Sequence, residues 1–465
     1  MQHLIQSLRN SNLSLFLIIY LSFFLDNVLL TVVVPIIPDY LFSNQNIDNH
    51  DNSRLGPKTL SPLQEKFETL ENDNGPLGAL LASKAFVQLA FTPFMGYLTE
   101  IMGCCIPLLL GSCNMLLATF LFAYGNSYGI LVLARALHGS SSAAIAVSGM
   151  SILAKNVSQN MRAKIMPLAF GGIALGVLIG YPLGGAAYQL LGKPAPFLII
   201  AFLICVSIVL QLWYIDDKSN ETTIDEIKCG QFLSLLNDKQ LMVTTFTICI
   251  CTSTMAILEP CVPMWLLAHL NPPPSRWQLG AVFIPDSVGY FIGSHCAGTY
   301  SEFEIEAINK FLGLLPMASW RVAFSALVLA GLSCCALPLA STLSQLSLPH
   351  FGLGLSVGAV DAALVPFLAN LVDKKGSNQY GPVYALQQVF VSLAYAFGPL
   401  LGGQAVHIFG FPWLMRVMGF MNLLFCPLLL ELEKDHSSVL LDDTKTPRSY
   451  STLDNTYSSL DEEAN

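Results

Sequence analysis

Six ionisable residues lie deep inside long apolar runs of the sequence, where charge is costly: Asp26, Lys84, Arg135, Glu259, Asp286 and Asp361. A charge at the centre of a membrane helix costs about 2.5–3.5 kcal/mol on insertion scales, so the set costs roughly 15–20 kcal/mol before compensation. That sum is comparable to the stability of a whole domain. The six residues must therefore pair, meet water or change protonation state. Structural ion pairs are the simpler explanation, and a functional site inside the membrane is the one we favour.

Four of the six residues are acids, which points to a defined chemistry. Desolvation favours the neutral form of a carboxyl group, so a buried acid can bind a proton near neutral pH. The same group, once ionised, can hold an ammonium ion. Competition between a proton and a cationic amine for one carboxylate is the simplest physical basis for antiport. Each unit of pH difference supplies about 1.4 kcal/mol per proton.

Three aromatic residues near the acids are candidates for contact with such an amine: Trp265, Tyr290 and Tyr395. Aromatic ring faces attract cations, and this would help to bind a protonated amine. Packing or anchoring at the membrane interface is the alternative for each ring.

Small residues spaced by four mark one helix face, at Gly172, Gly176, Gly180 and Gly184. Such a face lets two helices approach closely. Tight packing alone explains it, and so does a helix that slides or kinks with the help of Pro182. A similar stretch, with Gly398 and Pro399, recurs near the end of the chain.

The composition indicates whether these segments lie in water or in a membrane. Of 465 residues, 53% are hydrophobic and 11% are charged, whereas soluble domains carry about 25% charged residues. Backbone groups inside a bilayer must be paired within the protein, which leaves helices or a closed barrel. The runs are continuously apolar rather than alternating, so the sequence predicts an all-α membrane protein.

Twelve runs are long enough to cross a membrane core of about 30 Å. The first could instead be a cleaved signal peptide, but it carries Asp26 and Asn27, continues to Tyr40 and lacks a small-residue exit. The predicted spans are 13–40, 77–101, 105–125, 127–154, 163–191, 195–215, 241–269, 277–300, 321–341, 346–372, 379–408 and 412–431.

The distribution of Lys and Arg predicts the orientation, because loops on the cytosolic side are enriched in both. With a cytosolic N-terminus, fourteen such residues are cytosolic and five lie on the opposite side. Both termini are therefore expected in the cytosol. The cytosolic set is Arg9, Lys155, Arg162, Lys164, Lys218, Lys228, Lys239, Lys310, Arg321, Lys374, Lys375, Lys434, Lys445 and Arg448, and the opposite set is Arg54, Lys58, Lys66, Lys193 and Arg276.

The spans divide into two six-helix halves that echo each other. The first and seventh spans each carry an acid, Asp26 and Glu259, and the fifth and eleventh each carry a glycine–proline stretch. Such repeats are typical of transporters whose site lies between the halves near mid-membrane. The predicted organisation is a cytosolic N-terminus (1–12), a first half (13–215) with a luminal loop (41–76), a cytosolic linker (216–240), a second half (241–431) and a cytosolic tail (432–465).

Other classes of function find little support. The net charge of −9 comes without a basic patch, so no nucleic-acid partner is expected. The twelve cysteines lie mostly in apolar runs without metal-ligand spacing, and we expect neither a metal nor a cofactor. No nucleophile–base set is visible, so an enzyme is not predicted.

Several stretches together resemble the vesicular amine transporters of the major facilitator superfamily, most of all the vesicular monoamine transporters. They are Leu25-Asp26-Asn27, Val32 to Pro38, Ala82-Ser83-Lys84-Ala85, Leu258-Glu259-Pro260, Arg276 to Gly280, Val360-Asp361, Tyr380 to Ala385 and Gly410 to Met415. The resemblance covers nearly the whole membrane part. It implies two six-helix halves around a central cavity that opens alternately to each side.

The resemblance also implies roles for the candidate residues. Asp26 would hold the substrate amine beside Asn27, and Glu259 would share that task or shape the cavity. Asp361 would carry a proton. Lys84 would join a charge network between the halves, and Arg135 would help proton coupling.

Three positions depart from the family's pattern. Gln388 stands where the family has an acid, so Lys84 would lack its usual partner. Asp286 stands where relatives carry a small neutral residue, and one hypothesis is that it partly replaces the lost acid. The alternative is that Lys84 is buried without an acidic partner. Tyr181 replaces a proline in the glycine motif.

The tail carries three short patterns typical of clathrin-adaptor contacts: Asp435 to Leu440, Tyr450 to Leu453 and Tyr457 to Leu460. They favour sorting to synaptic or secretory vesicles. The predicted function is thus proton-driven loading of cationic amines, most of all monoamines, into acidic vesicles. Acetylcholine or polyamine transport, a plasma-membrane multidrug/proton antiporter and a transport-dead sensor or scaffold are the alternatives.

Overall fold

The computed structural model describes residues 12–48, 74–215, 235–270, 274, 276–300, 319–377, 379–430 and 432, and these contain helices but no strand. Twelve of the helices are labelled α1 to α12 here. They are α1 Asn12–Asp48, α2 Asn74–Ile101, α3 Cys105–Tyr124, α4 Tyr128–Asn156, α5 Gln159–Leu191, α6 Pro194–Ile215, α7 Lys239–His269, α8 Ile284–Tyr300, α9 Ser319–Ala336, α10 Leu343–Lys374, α11 Tyr380–Phe409 and α12 Phe411–Phe425.

These twelve helices correspond to the twelve predicted spans. Ten of them are long and apolar enough to cross a membrane when α9 and α12 are taken with the 3₁₀ segments that continue them, Leu337–Leu339 and Cys426–Leu430, and α2 and α8 are the exceptions. Helix α2 carries Lys84, Gln88 and Thr92 along its length. Helix α8 has 17 residues, which gives a length of about 25 Å at 1.5 Å per residue. A six-residue helical segment, Arg276–Ala281, precedes it and lengthens this part of the chain.

Most predicted boundaries agree with the structure to within a few residues, and the larger differences have local causes. Helix α1 continues to Asp48, so residues 41–48 of the predicted loop are helical. Helix α9 ends five residues early, and a 3₁₀ turn at Leu337–Leu339 with proline in its first turn follows it. Proline cannot donate the helical backbone hydrogen bond, which explains this early end.

Some predicted segments lie outside the described residues. They are 49–73 of the loop after the first span, 216–234 of the linker and nearly all of the tail, with its three sorting patterns. The part of the linker that is described leads into α7, where Asp238 caps the helix by accepting hydrogen bonds from the amides of Gln240 (3.1 Å) and Leu241 (3.4 Å).

The glycine face of α5 packs directly on α1, the helix that carries Asp26. A methyl group added at Gly172 would lie 2.7 Å from the carbonyl oxygen of Tyr20, and one at Gly176 would lie 2.6 Å from that of Phe24. One added at Gly180 would collide with the hydroxyl of Thr31. The spacing of four therefore sets the closest approach between these two helices.

The Gly176→Ala substitution should lower the thermal stability of the purified protein. The obstacle is backbone on α1, which cannot turn aside, and overpacking of this kind costs about 1–3 kcal/mol. Thermal unfolding in detergent, followed by size-exclusion chromatography, measures the loss. The matched control is Gly185→Ala on the same helix, where a new methyl group meets nothing within 4 Å. Equal melting temperatures for the two variants would show that this contact does not limit stability.

The second half repeats this design. A methyl group added at Gly398 of α11 would lie 3.0 Å from Cβ of Ala256 on α7, so α11 packs on α7 as α5 packs on α1. The predicted equivalence of the two stretches thus has a structural counterpart. Helices α8 and α10 also pack through small residues, because Gly293 lies against the backbone of Leu355 and Gly358 lies against that of Tyr290.

Candidate functional site

Asp26 lies at the crossing of α1 and α4 and is 9% exposed. Its Oδ1 accepts a hydrogen bond from Ser142 Oγ at 2.6 Å and lies 3.2 Å from His138 Nε2. His138 and Ser142 are four residues apart on α4, so both face α1. The carboxyl group expected to hold the amine is therefore fixed by two polar side chains that the sequence analysis did not single out.

Asn27 does not share this arrangement in the structure. Its amide donates to the carbonyl of Phe23 on its own helix at 2.9 Å. Its Cβ lies against α5, where a methyl group added at Gly176 would be 2.9 Å away. The structure thus places Asn27 at the α1–α5 packing surface, and its predicted contact with an amine stays a prediction.

Lys84 links the two halves electrostatically. The acids that act on its ammonium group are Asp26 in the first half and Glu259 in the second, and Arg135 repels it. Asp286 is not among these groups. The charges that act on Lys84 therefore lend no support to Asp286 as the replacement for the acid expected at Gln388, and that role stays a prediction. Asp26 and Glu259 supply the negative charge around Lys84.

Asp286 belongs to a different set of contacts. It interacts electrostatically with Glu259, which carries the same charge. Its Oδ1 is buried without a hydrogen-bond partner among the described residues. A methyl group added at Gly354 of α10 would lie 2.6 Å from this oxygen. One carboxyl oxygen of Asp286 thus faces the backbone of α10.

Tyr181 of α5 lies where the two halves meet. Its ring stacks on that of Phe283, just before α8, with ring centres 5.8 Å apart and planes 16° apart. The charged residues that act on Tyr181 are Glu259, Asp286 and Arg135. The departure noted in the sequence thus puts an aromatic hydroxyl among the charges of both halves.

Asp361 of α10 is held by another tyrosine. The hydroxyl of Tyr290 on α8 donates to its Oδ2 at 2.9 Å. Tyr395 of α11 interacts electrostatically with Asp361, Glu259 and Asp286. Through Tyr395, Glu259 and Lys84, the electrostatic network extends from Asp361 to Asp26. The four acids predicted for the site are therefore connected with one another.

Arg135 and Trp265 are less closely tied to this network. Arg135 is 2% exposed, and its Nε and Nη1 find no hydrogen-bond partner within the described part of the chain. Trp265 stacks on Phe411 at 4.9 Å and on His269 at 5.4 Å. No described contact joins Trp265 to the acids, so its predicted role in binding gains no support from the geometry.

One side of the molecule, which we name the Val157 face, carries the turns at 102–104, 157–158 and 375–377. Here Arg162 of α5 pairs with Asp373 of α10, and Tyr380 of α11 donates a hydrogen bond to the same carboxylate. Arg162 also donates to the hydroxyl of Tyr380 at 3.0 Å. We call these three residues the latch, because they join the first half to the second.

The halves also touch away from the latch. The stack of Tyr181 on Phe283 joins them toward the opposite side, which carries the turn at 125–127. Phe86 of α2 and Phe397 of α11 meet edge to face at 5.6 Å. Contacts at several levels thus join the halves while Asp26 is nearly buried, and we call this arrangement closed.

Comparisons with known proteins agree with this architecture. The family model of the Major Facilitator Superfamily matches residues 15–319 and 317–454. The structure of the human organic anion transporter MFSD10 (TETRAN) superimposes with a TM-score of 0.70 over 90% of this chain and 99% of that one, at 17% identity. The chain therefore belongs to the major facilitator superfamily and has its fold.

The sequence relatives define the group within that superfamily. The chain is 32% identical to the human synaptic vesicular amine transporter over 95% of its length and 93% of the relative's. It is 33% identical to the rat chromaffin granule amine transporter, covering 93% and 90%. It is 34% identical to the vesicular acetylcholine transporter of Torpedo marmorata, covering 90% and 81%. The chain is a member of the vesicular amine transporter family.

This membership confirms the resemblance and the all-helical fold predicted from the sequence. It also confirms that the chain belongs with transporters rather than enzymes. The roles of the individual site residues remain predictions.

Proposed function

We propose that this protein is a proton-coupled antiporter that loads cationic amines, in the first place monoamines, into acidic vesicles by alternating access. The observation that carries the proposal is the Asp26 carboxylate. It is nearly buried, held by two side chains and connected electrostatically to acids of the other half. The named activities of its relatives, amine and acetylcholine transport in vesicles, support the same conclusion.

The charges of the cluster favour this chemistry. Four acids and two bases leave two excess negative charges when every group is ionised. Burying that excess is costly unless cations or protons neutralise it. A cluster of this kind binds either protons or a cationic substrate, and exchange of one for the other is antiport.

The latch supports the alternating-access part of the proposal. It joins the halves at the Val157 face, so separating the halves there would also separate Arg162 from Asp373. Opening on the opposite side requires other contacts to part, among them the Tyr181–Phe283 stack. Two separate sets of contacts are what a transporter needs to open one side at a time.

Orientation and location follow from the sequence patterns. We place both termini and the Val157 face in the cytosol, and the protein in the membrane of synaptic or secretory vesicles. The sorting patterns of the tail would then meet clathrin adaptors. A fluorescent tag on either terminus, with protease protection of isolated vesicles, tests this. A tagged protein at the cell surface would favour the multidrug antiporter instead.

The central experiment is uptake by purified protein in liposomes with an acidic interior. Labelled serotonin, dopamine, histamine, acetylcholine and spermine form the panel, with and without a proton uncoupler. We expect at least one monoamine to accumulate and the uncoupler to abolish its accumulation. Absence of proton-driven uptake for the whole panel would overturn the proposal and favour a sensor or scaffold.

Spermine is included because of one specific observation. Glu259 and Asp286 interact as two like charges in the same region, and a second ammonium group would neutralise the additional one. Uptake of spermine in preference to monoamines would identify a polyamine transporter.

A further inference from the structure

His138 lies at the point where α4 meets both α1 and α2. It is fully buried, and its Nε2 lies 3.2 Å from Oδ1 of Asp26. The neighbouring Gly139 lets α4 lie directly against the backbone of α2, since a methyl group there would collide with the carbonyl oxygen of Lys84. This close approach brings the imidazole to the substrate acid without exposing it to lipid.

The charges around His138 come from three helices. Asp26 of α1 attracts a charged imidazole, whereas Lys84 of α2 and Arg135 of α4 repel it. Helix α3 contributes an uncharged group, because Asn114 donates to the carbonyl of Leu137 at 3.2 Å. The described part of α11 contains no Asp, Glu, Lys or Arg, and the charged residues of α5, Arg162 and Lys164, lie near the Val157 face.

The hydrogen bonds of the ring define its protonation states. Because an ionised Asp26 only accepts hydrogen bonds, Nε2 must carry a proton to donate to it. Nδ1 is buried and has no hydrogen-bond partner among the described residues. Nδ1 is therefore the ring position that can take up a second proton; the resulting imidazolium would be balanced by the Asp26 carboxylate.

An amine that binds to Asp26 changes this balance. It puts an ammonium group beside the imidazolium, with Lys84 and Arg135 already near. Like charges so close in a site of low dielectric repel strongly. The imidazolium can relieve this repulsion by giving up the Nδ1 proton, and the Nε2 hydrogen bond to Asp26 persists. Ser142 keeps the same carboxyl oxygen bonded throughout.

We infer that His138 carries the proton that a bound amine displaces from the Asp26 site. The inference rests on the proposed function and adds a proton-coupling residue to it. On amine binding the N–H bond at Nδ1 breaks, its electron pair stays on the ring and the proton passes to water entering the site. On the acidic side a proton from solution adds to Nδ1, and the imidazolium then competes with the amine for Asp26.

The test uses the full-length protein and labelled serotonin, or the panel amine that the wild type binds best. Binding is measured between pH 5.5 and 8, and proton release is measured with a pH dye in weak buffer. The wild type should release about one proton per bound amine near pH 6, and its affinity should fall toward acid pH with the matching slope. His138→Gln keeps an amide donor for Asp26 but cannot titrate. Its affinity for the amine should no longer fall toward acid pH, and it should release almost no proton on binding.

Ser142→Ala is the matched control, since it removes the other donor to the same oxygen and no titratable group. It should weaken binding by a similar factor at every pH and keep the proton release.

Two outcomes in His138→Gln would overturn the inference. A wild-type dependence of affinity on pH with wild-type proton release would assign the proton to another group. A loss of affinity that is the same at every pH, like that of Ser142→Ala, would make His138 merely structural. His138→Asn serves as a second variant. Absence of proton release from the wild type would overturn the inference without any variant, whereas absence of amine binding to the wild type would overturn the proposed function first.

Discussion

Replacement of Asp26 by asparagine should reduce proton-driven amine uptake by about a hundredfold or more. Removing one partner of a buried charge pair costs about 3–5 kcal/mol, and each 1.4 kcal/mol is a factor of ten in binding. The asparagine oxygen can still accept from Ser142 and His138, so the local packing should survive. The loss would then come from the missing charge rather than from a damaged fold. Uptake at equal protein density in liposomes, together with the melting temperature, measures both quantities.

The control for this prediction is Asp238→Asn at the start of α7. Asparagine caps a helix about as well as aspartate, and Asp238 pairs with the exposed Lys375 outside the acid cluster. This variant removes the same charge from the chain and should transport normally. Comparable uptake by Asp26→Asn and the wild type would show that the amine is held elsewhere.

The acids of the site were predictable from the sequence because burying a charge in an apolar run is costly enough to need a reason. That argument found Asp26, Glu259, Asp286 and Asp361, and the structure connects all four. It could not find the two side chains that hold Asp26. His138 can be neutral and so adds no obvious cost, and Ser142 sits in a run of small residues that also serves packing.

Contacts between the halves could not be predicted from the sequence, for a different reason. Arg162 and Asp373 stand near helix ends, where charge is common, and 211 positions separate them. Nothing in one sequence shows that two such residues meet. The same limit affected Asp286, because a helix's rotation about its axis decides which neighbour a side chain faces. Sequence alone could not show that one of its carboxyl oxygens lies beside Gly354 of α10.

The arrangement of the helices was easier to predict from the sequence. Long apolar runs set the spans, and the four-residue glycine spacing correctly indicated the tight face of α5. The same spacing occurs at Gly289 and Gly293 of α8, and at Gly354 and Gly358 of α10. It could have been recognised as a second tight helix pair. The effect of proline was harder to predict. A proline follows the early end of α9, whereas α1 continues through its prolines to Asp48.

Breaking the latch by Asp373→Asn should shift the protein toward the state that is open at the Val157 face. The variant leaves the nearly buried guanidinium of Arg162, whose side chain is 6% exposed, without its anionic partner in the closed state. Asp373 is partly exposed, so solvent screens the pair and the cost falls below the fully buried case, to about 1–3 kcal/mol. This corresponds to a shift of about 5- to 150-fold in the ratio of closed to open molecules. Uptake should fall, because transport needs both states.

Distances between two spin labels, measured by double electron–electron resonance, report this opening directly. The labels are attached to cysteines introduced at two exposed positions, Ser158 between α4 and α5 and Asn237 just before α7, in a background without reactive native thiols. The distance should lengthen in Asp373→Asn and, by less, in Tyr380→Phe, which removes one hydroxyl from the latch. The double variant Arg162→Asp with Asp373→Arg restores opposite charges and should recover part of the closed population. Lys375→Gln breaks the pair with Asp238, which does not involve the first half, and should leave the distance unchanged. If it lengthens the distance as much as Asp373→Asn does, general loss of charge at this face, and not the latch, holds the two halves together.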